Sequence, residues 1–392
     1  MTSNNYYRAF LTGLTAFIFL AFLGSQCLAQ VSVPQSVTVA SLKNDYKNKA
    51  LRVLIVPGHD SEDVGTDFNG VKEADLNLKL AQKILKAFEK DQRFQVFISR
   101  NDYGYVPTLK NYLEEQRDAI KIFREEIKRI FSQNYINFEK KEGIIHNGVS
   151  EKTANKLYGI NKWANDYNID IVLHVHFNDD AERWHYRKGE YSGFSIYIPE
   201  KQLPNSEPSR ILADSIFNNL KTILAVSNLP QESAGVVEDQ ELIAIGAKAS
   251  LSAASLLVEY GYIYETHFLR KPVNDYLLNE MAYLTYAGLA KYFNPEIKPN
   301  KYDSAILPYV WRNKLTEGMK NKEDVLALQI ALIKDGSYPP ASFDLRSCPI
   351  TGSFLDCTEK AVKSFQKKNG LTEEKGLVGI LTLKKLNSLY KN

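Results

Sequence analysis

Short apolar runs rich in Val, Ile and Leu recur at 52–57, 94–98, 169–175 and 254–258. Each is bounded by polar or turn residues, the mark of a buried strand. Between them the spacing changes to that of a helix. Leu76, Leu80, Ile84, Leu85 and Phe88 recur on one face of the segment that follows Glu73, and EKTANKLYGINKWAN at 151–165 reads as a second helix. Alternating strands and helices predict an α/β fold with a largely parallel twisted sheet flanked by helices. Polar residues at the carboxyl ends of such strands gather in one crevice. His59 follows LRVLIVPG, His176 lies in IDIVLHVHFND, Glu259 ends SLLVE and Glu73 opens a helix. Although spread over two hundred positions, these four are expected to meet.

Their chemistry suits metal-assisted hydrolysis. Two imidazoles and one carboxylate hold zinc with a fourth position open, and the ion lowers the pKa of its water to roughly 7. A nearby carboxylate that is not a ligand can take that proton and return it to a leaving nitrogen. Glu259 fits this second role. Taken singly the residues say less: a histidine beside a glycine is ordinarily a surface histidine, and Glu73 also complements a helix dipole.

In combination, IVPGHDSEDVGTDFNGVKEADLNLKLA resembles the opening of the zinc-dependent N-acetylmuramoyl-L-alanine amidases: a strand, Gly-His, a Gly-bearing loop, then Glu at a helix start. HVHFND resembles their Ser-Ile-His-Ala-Asn segment, and LLVEYGYI their Leu-Val-Glu-x-Gly-Phe segment. Order and spacing agree over about residues 50–294. The resemblance implies one Zn2+ per chain held by His59, Glu73 and His176, with Glu259 as catalytic acid/base. It also implies the bond, the amide between the lactyl group of N-acetylmuramic acid and L-alanine of the stem peptide. Two departures stand out. Asp60-Ser61 replaces the usual Gly-Gly, and His174 stands where the family often has Ser. His174 faces the same side of its strand as His176 and is an alternative ligand; Asn178, placed as in the family, favours His176. His174 and Asn178 are therefore expected beside the metal or against substrate. The alternatives are a zinc hydrolase cutting another stem-peptide amide, or an inactive wall-binding protein, which the intact four-residue set argues against.

The far end carries a second signature. EDVLALQIALIKDGSY, ITGSFLDCTEKAVKSFQKKNGL and GLVGILTLKKL, within 319–391, resemble the small three-helix peptidoglycan-binding domain. Leu328, Gln329, Gly352, Phe354, Thr358, Ala361, Phe365, Gln366, Gly379 and Thr382 stand at the expected places, although Val362, Phe365 and Leu371 equally fit a simple amphipathic core. Peptidoglycan is the partner implied. The proline-bearing stretch 295–318 is the expected linker.

Composition then bounds the compartment and the partners. After Arg8 comes the apolar AFLTGLTAFIFLAFLG, then SQCLAQ, too short for a span needing about 20 apolar residues. Residues 1–29 are expected to be a signal peptide cleaved after Ala29, exporting the enzyme to the periplasm or extracellular envelope. Removing it leaves Cys348 and Cys357, whose pairing is permitted in an oxidising compartment. At 392 residues and 44% hydrophobic, the chain can bury one full core and a small satellite. A net charge of +3 is too small to imply nucleic acid.

Two further regions attract notice. His146, His185 and His267 have no partner at recognisable spacing and are expected to be solvated, although His185 lies in a Trp184, His185, Tyr186 cluster suited to lining a glycan groove. A helical insertion at about 105–150 contains TLKNYLEEQRDAIKIFREEIKRIFSQ, with Leu113, Ile120, Phe123, Ile127, Ile130 and Phe131 at helical spacing. Packing on the core is its default role. Beside the sheet's active edge, 109–148 is also a candidate lid or docking surface for a protein activator.

Overall fold

The computed structural model describes residues 35–134, 148–247, 251–297 and 299–391. The expected leader, and His146 with the rest of 135–147, lie outside the described residues. In chain order the elements of the sheet layer are α1 (Val39–Asn48), β1 (Leu51–Pro57), β2 (Asp67–Phe68), β3 (Val71–Lys72), α2 (Glu73–Phe88) and β4 (Phe94–Ile98). A small hairpin, β5 (Arg100–Asn101) and β6 (Gly104–Tyr105), leads to α3 (Pro107–Glu115), α4 (Arg117–Asn134) and α5 (Glu151–Asp166). Then come β7 (Ile171–Asn178), β8 (Ser195–Pro199), α6 (Ser206–Leu220), β9 (Val236–Asp239), β10 (Ala254–Tyr262) and α7 (Val273–Phe293).

Six strands form one sheet in the order β4, β1, β7, β10, β8, β9. The first four run parallel and coincide with the four apolar runs of the sequence. β8 turns antiparallel to β10 and carries β9 parallel to itself at the edge. Alternate residues of β1 feed two cores, as the two-residue period of a strand requires. Leu51, Val53 and Ile55 pack with Leu76, Leu80, Ile84 and Phe88. Leu54 and Val56 pack with Ile160, Trp163 and Ala164 of α5. Both faces are thus covered, which is why the parallel strands read as continuous apolar runs. Register sets Glu259 directly beside His176, and Leu257 beside His174, on the two central strands.

The single amphipathic helix expected in the insertion is two, parted at Gln116. Leu109, Ile120, Phe123 and Ile127 are buried as its spacing predicts, and α4 packs on α5. A Cβ at Gly159 would meet Leu113 Cδ2 at 2.4 Å, so glycine permits this close helix crossing.

The carboxyl-terminal helices are α8 (Glu323–Asp335), α9 (Asp356–Lys368) and α10 (Ile380–Tyr390). Cys348 and Cys357 are joined by a disulfide. Buried Gln329 and Gln366 tie the helices to their loops: Gln329 Oε1 accepts from Gly352 N at 2.9 Å, and Gln366 Nε2 donates to Leu377 O at 2.7 Å. The 295–318 stretch is itself packed. Glu280 of α7 accepts from Ser304 Oγ and Ala305 N at 2.8 and 2.7 Å. Trp311, nearly fully buried, donates through Nε1 to Asp324 O and exchanges backbone hydrogen bonds with the Asn387 side chain. Gly352 lies so close to α7 that a Cβ there would meet Val273 Cγ2 at 2.4 Å. One apolar core therefore runs from the sheet into the terminal helices.

Candidate metal centre

Three side chains converge above the carboxyl ends of β1 and β7. His59 Nε2 lies 3.2 Å from Glu73 Oε2, and His176 Nδ1 lies 3.1 Å from Glu73 Oε1. The three possible ligand atoms all lie within 4.8 Å of one another, and this is the group among the described residues whose donors so converge. A borderline-soft dication accepts two imidazole nitrogens and a carboxylate oxygen, so the donor set fits zinc.

Local backbone makes the convergence possible. His59 has φ 59, a left-handed conformation that turns the chain sharply off β1 and is costly for a residue with a Cβ. A Cβ on Gly58 would lie 2.1 Å from the His176 ring. Gly65, at φ +69, has Glu73 Oε2 only 2.4 Å from the place a Cβ would take. The glycines of PGHDSEDVG thus clear the space that the imidazoles and carboxylate fill.

Arg100, just past β4, is buried and fastens the pieces together. Its Nη2 donates to Gly58 O at 3.0 Å and Ala74 O at 2.7 Å, and its Nε to Pro57 O at 3.3 Å. Asn77, one turn into α2, donates to Gly58 O at 3.0 Å and Glu73 Oε1 at 3.3 Å. Thr66 donates its backbone N–H to Glu73 Oε2 at 3.2 Å. Burial opposes the Glu73 charge, but hydrogen bonds from His176 and His59 outweigh it and hold the carboxyl well below its usual range. For His59 burial works downward, yet the hydrogen bond and charge of Glu73 win and raise it. For His176 burial dominates and lowers it, favouring the neutral ring that a metal requires.

Glu259 stands one strand over from His176. Its Oε2 is buried with no hydrogen-bond partner among the described residues. Burial first, then the charges of Glu73 and Glu232, push its pKa well above the carboxylate norm. Glu232 sits in the turn before β9, where Asn178 Nδ2 donates to its Oε1 at 2.9 Å and the Tyr197 and Tyr262 hydroxyls also reach it. Asn178 therefore touches a second buried carboxylate rather than the His-Glu-His group.

His174 lies below the group, outside the converging set. Its ring is buried, the Ala244 backbone accepts a hydrogen bond from it, and its Nε2 has no partner among the described residues. Burial, then the neighbouring His176, push its pKa down to about 3. A cavity of about 390 Å³ opens over His59, His176 and His174, walled by Val149, Lys156 and Leu242. Asp60, which replaces glycine in the loop, is held to this wall by Lys156 Nζ at 2.6 Å and Tyr105 Oη at 3.3 Å. His185 is exposed. His267 corrects its expectation of solvation: it is buried, its ring 4.2 Å from that of Phe268, and its Nε2 lies 3.7 Å from Glu265 Oε2.

Arg100, Asn77, Thr66 and Glu232 were not foreseen. Arg100, a charge closing the apolar run FQVFISR, carried a readable signal; Glu232, in an irregular turn, carried none.

Comparison with known proteins identifies the family. The family described as N-acetylmuramoyl-L-alanine amidase matches residues 53–291, and a peptidoglycan binding domain matches residues 321–386. A relative from Buchnera aphidicola subsp. Schizaphis graminum, named as an N-acetylmuramoyl-L-alanine amidase, is 23% identical over 261 residues, covering 63% of this chain and 98% of its own. The solved N-acetylmuramoyl-L-alanine amidase of Clostridium difficile 630 is 18% identical, with 64% of this chain and 100% of that one covered at a TM-score of 0.41. Ami1 of Mycobacterium smegmatis is 13% identical, with 63% and 99% covered at 0.39. The family match spans more than half of the residues, and the chain belongs to the N-acetylmuramoyl-L-alanine amidase family.

Proposed function

We propose that this peptidoglycan amidase works with a single zinc ion held by His59, Glu73 and His176, with Glu259 as its acid/base. The observation that carries the reading is the approach of three donor atoms to within 4.8 Å, with an unpartnered buried carboxylate on the adjoining strand position. Zinc, when bound to such a set, acidifies water and polarises a carbonyl. Glu259 takes a proton from the attacking water and delivers it to the departing nitrogen. The C–N bond breaks, leaving a lactyl carboxylate on the sugar and a free amino group on L-alanine. The raised pKa of Glu259 suits it to carry the proton between the two events. Glu232, fixed by Asn178 and two tyrosines, holds a second negative charge behind it. His174, whose pKa burial holds down to about 3, lines the cavity beside His176 as an uncharged ring.

The terminal module holds the enzyme to its polymer, and the disulfide accords with export to an oxidising envelope. The insertion, whose Tyr105 and Val149 border the cavity, carries on its helices the surface on which an activator would act. The test is incubation of the chain from residue 30 with purified peptidoglycan, with and without chelator, and mass analysis of what dissolves. Chelator-sensitive release of stem peptides beginning in L-alanine is expected. Fragments cut at another bond would overturn the assignment of the bond, and release that chelator leaves untouched would overturn the metal.

A further inference from the structure

The loop from 179 to 194, between β7 and β8, exposes two large aromatic side chains and is nevertheless tightly built. Trp184 is 69% exposed and Tyr186 63%, with ring centroids 6.3 Å apart. The other two tryptophans of the chain, Trp163 and Trp311, are only 4% and 2% exposed. Arg183, its side chain 4% exposed, anchors the loop. It pairs with Asp179, donates to Thr66 Oγ1 at 3.1 Å and Asp67 O at 2.8 Å, and reaches back to His185 O at 2.6 Å. The Asp180 carboxylate closes the loop by accepting from Glu182 N and Glu190 N at 3.0 and 2.9 Å. The rings are held outward by a rigid frame, so their exposure is not the by-product of a loose segment.

That frame has two ends. One is the metal centre, because Thr66, which Arg183 grips, donates its N–H to Glu73. The other is the terminal module. Arg346, two residues before the disulfide-bonded Cys348, donates to Val226 O at 2.6 Å and lies 3.4 Å from Ser192 O. The 188–193 segment and the module's Leu345, Arg346 and Ile350 enclose a cavity of about 270 Å³. The loop therefore reaches from the metal centre to the terminal module.

The local chemistry names the polymer's part. Trp and Tyr offer flat amphipathic surface at low entropy cost, which matches the C–H face of a pyranose. His185, Arg187 and Glu190 beside them supply donors and acceptors for hydroxyl and acetamido groups. A lipid surface would want a wider apolar patch without these charges. Resting on the amidase reading above, we propose that Trp184 and Tyr186 are a stacking platform for the N-acetylated glycan strand, a sugar subsite between the metal centre and the wall-binding module.

The experiment uses the full exported chain with Glu259→Gln to prevent turnover, and oligomers of N-acetylglucosamine as the peptide-free probe. Because the other tryptophans are buried, acrylamide quenching of tryptophan fluorescence reports on Trp184. The oligomer is expected to protect that quenchable fraction. Oligomer that is bound by calorimetry yet leaves quenching unchanged, or that is not bound at all, overturns the platform. In the active enzyme, Trp184→Ala with Tyr186→Ala should lower kcat/KM on long strands by about tenfold more than on a single-sugar muropeptide, the loss lying in KM. Equal losses on both substrates would also overturn it. Quenching needs no catalysis, so failure of the amidase reading would show as inactivity on every substrate and remain distinguishable.

Discussion

Glu73 and His176, 103 residues apart in the chain, meet with Oε1 and Nδ1 at 3.1 Å. The same carboxylate touches His59 through its other oxygen. One side chain thus aligns both imidazoles, and on the function proposed above the site separates into residues that would bind metal and a residue that would move protons.

That separation is measurable. His176→Ala is expected to lower zinc affinity by more than the roughly 10–100-fold typical of supporting partners. Glu259→Ala should abolish turnover while zinc content by atomic absorption stays at one per chain. Zinc lost from the Glu259 variant would make it a ligand, and zinc kept in the His176 variant would move that role to His174.

Arg100 should behave as a supporting partner. Arg100→Met removes the guanidinium donors from the Pro57, Gly58 and Ala74 carbonyls, leaving Gly58 O to Asn77. A weakening of zinc binding by roughly 10–100-fold is expected, with a stability loss of about 3 kcal/mol. Arg100→Lys should rescue little, because an ammonium cannot span the same fork. Competition with a fluorescent chelator and urea titration read the two effects.

Much of this was legible beforehand and some was not. The four parallel strands, and the meeting of His59 and His176 with Glu73 at their carboxyl ends, follow from apolar runs ending in polar residues and a helix that opens on Glu73, because burial on both faces leaves a strong imprint on composition. β8 was missed although FSIYIP is apolar, since a lone antiparallel strand after a polar loop has no helix beside it to complete the repeat. The break at Gln116 was invisible because apolar spacing continues across it. His267 looked solvated because sequence gives no sign of the β10 turn folding over it. Arg100 is the instructive case: its three acceptors are backbone carbonyls, which have no side-chain signature.

Asp91 offers a test in pH. Burial works to raise its pKa, but the Arg93 side chain, a backbone N–H and the Tyr286 hydroxyl lower it below 3.8. A depressed carboxyl contributes stability in full above the unfolded value and loses it as pH falls through the folded one. Asp91→Asn should therefore cost about 1.5–3 kcal/mol near neutrality. Urea titrations below pH 3.8 should find the gap between variant and parent closing. A gap of constant size would mean the charge is not what stabilises.

Glu374 tests the module by itself. It accepts from the backbone N–H groups of Gly379, Leu381 and Thr382, at 3.2, 2.9 and 2.9 Å, where α10 begins. Glu374→Ala should lower stability by about 1 kcal/mol, as loss of a helix cap does. Faster amide exchange is expected in the first turn of α10. Unchanged protection there would remove Glu374 as the cap.

The core that runs unbroken from the sheet through Trp311 into the last three helices has a consequence for how the wall is digested. An anchor on a floppy leash lets a cutter sample every bond within a sphere, its effective concentration thinning as the leash lengthens. Here packed side chains fix the spacing between the terminal helices and the sheet, so if the module grips the wall, bonds at one distance and heading from the anchorage would be presented at the highest local concentration. Such an enzyme is expected to trim peptides at a set offset from each landing place.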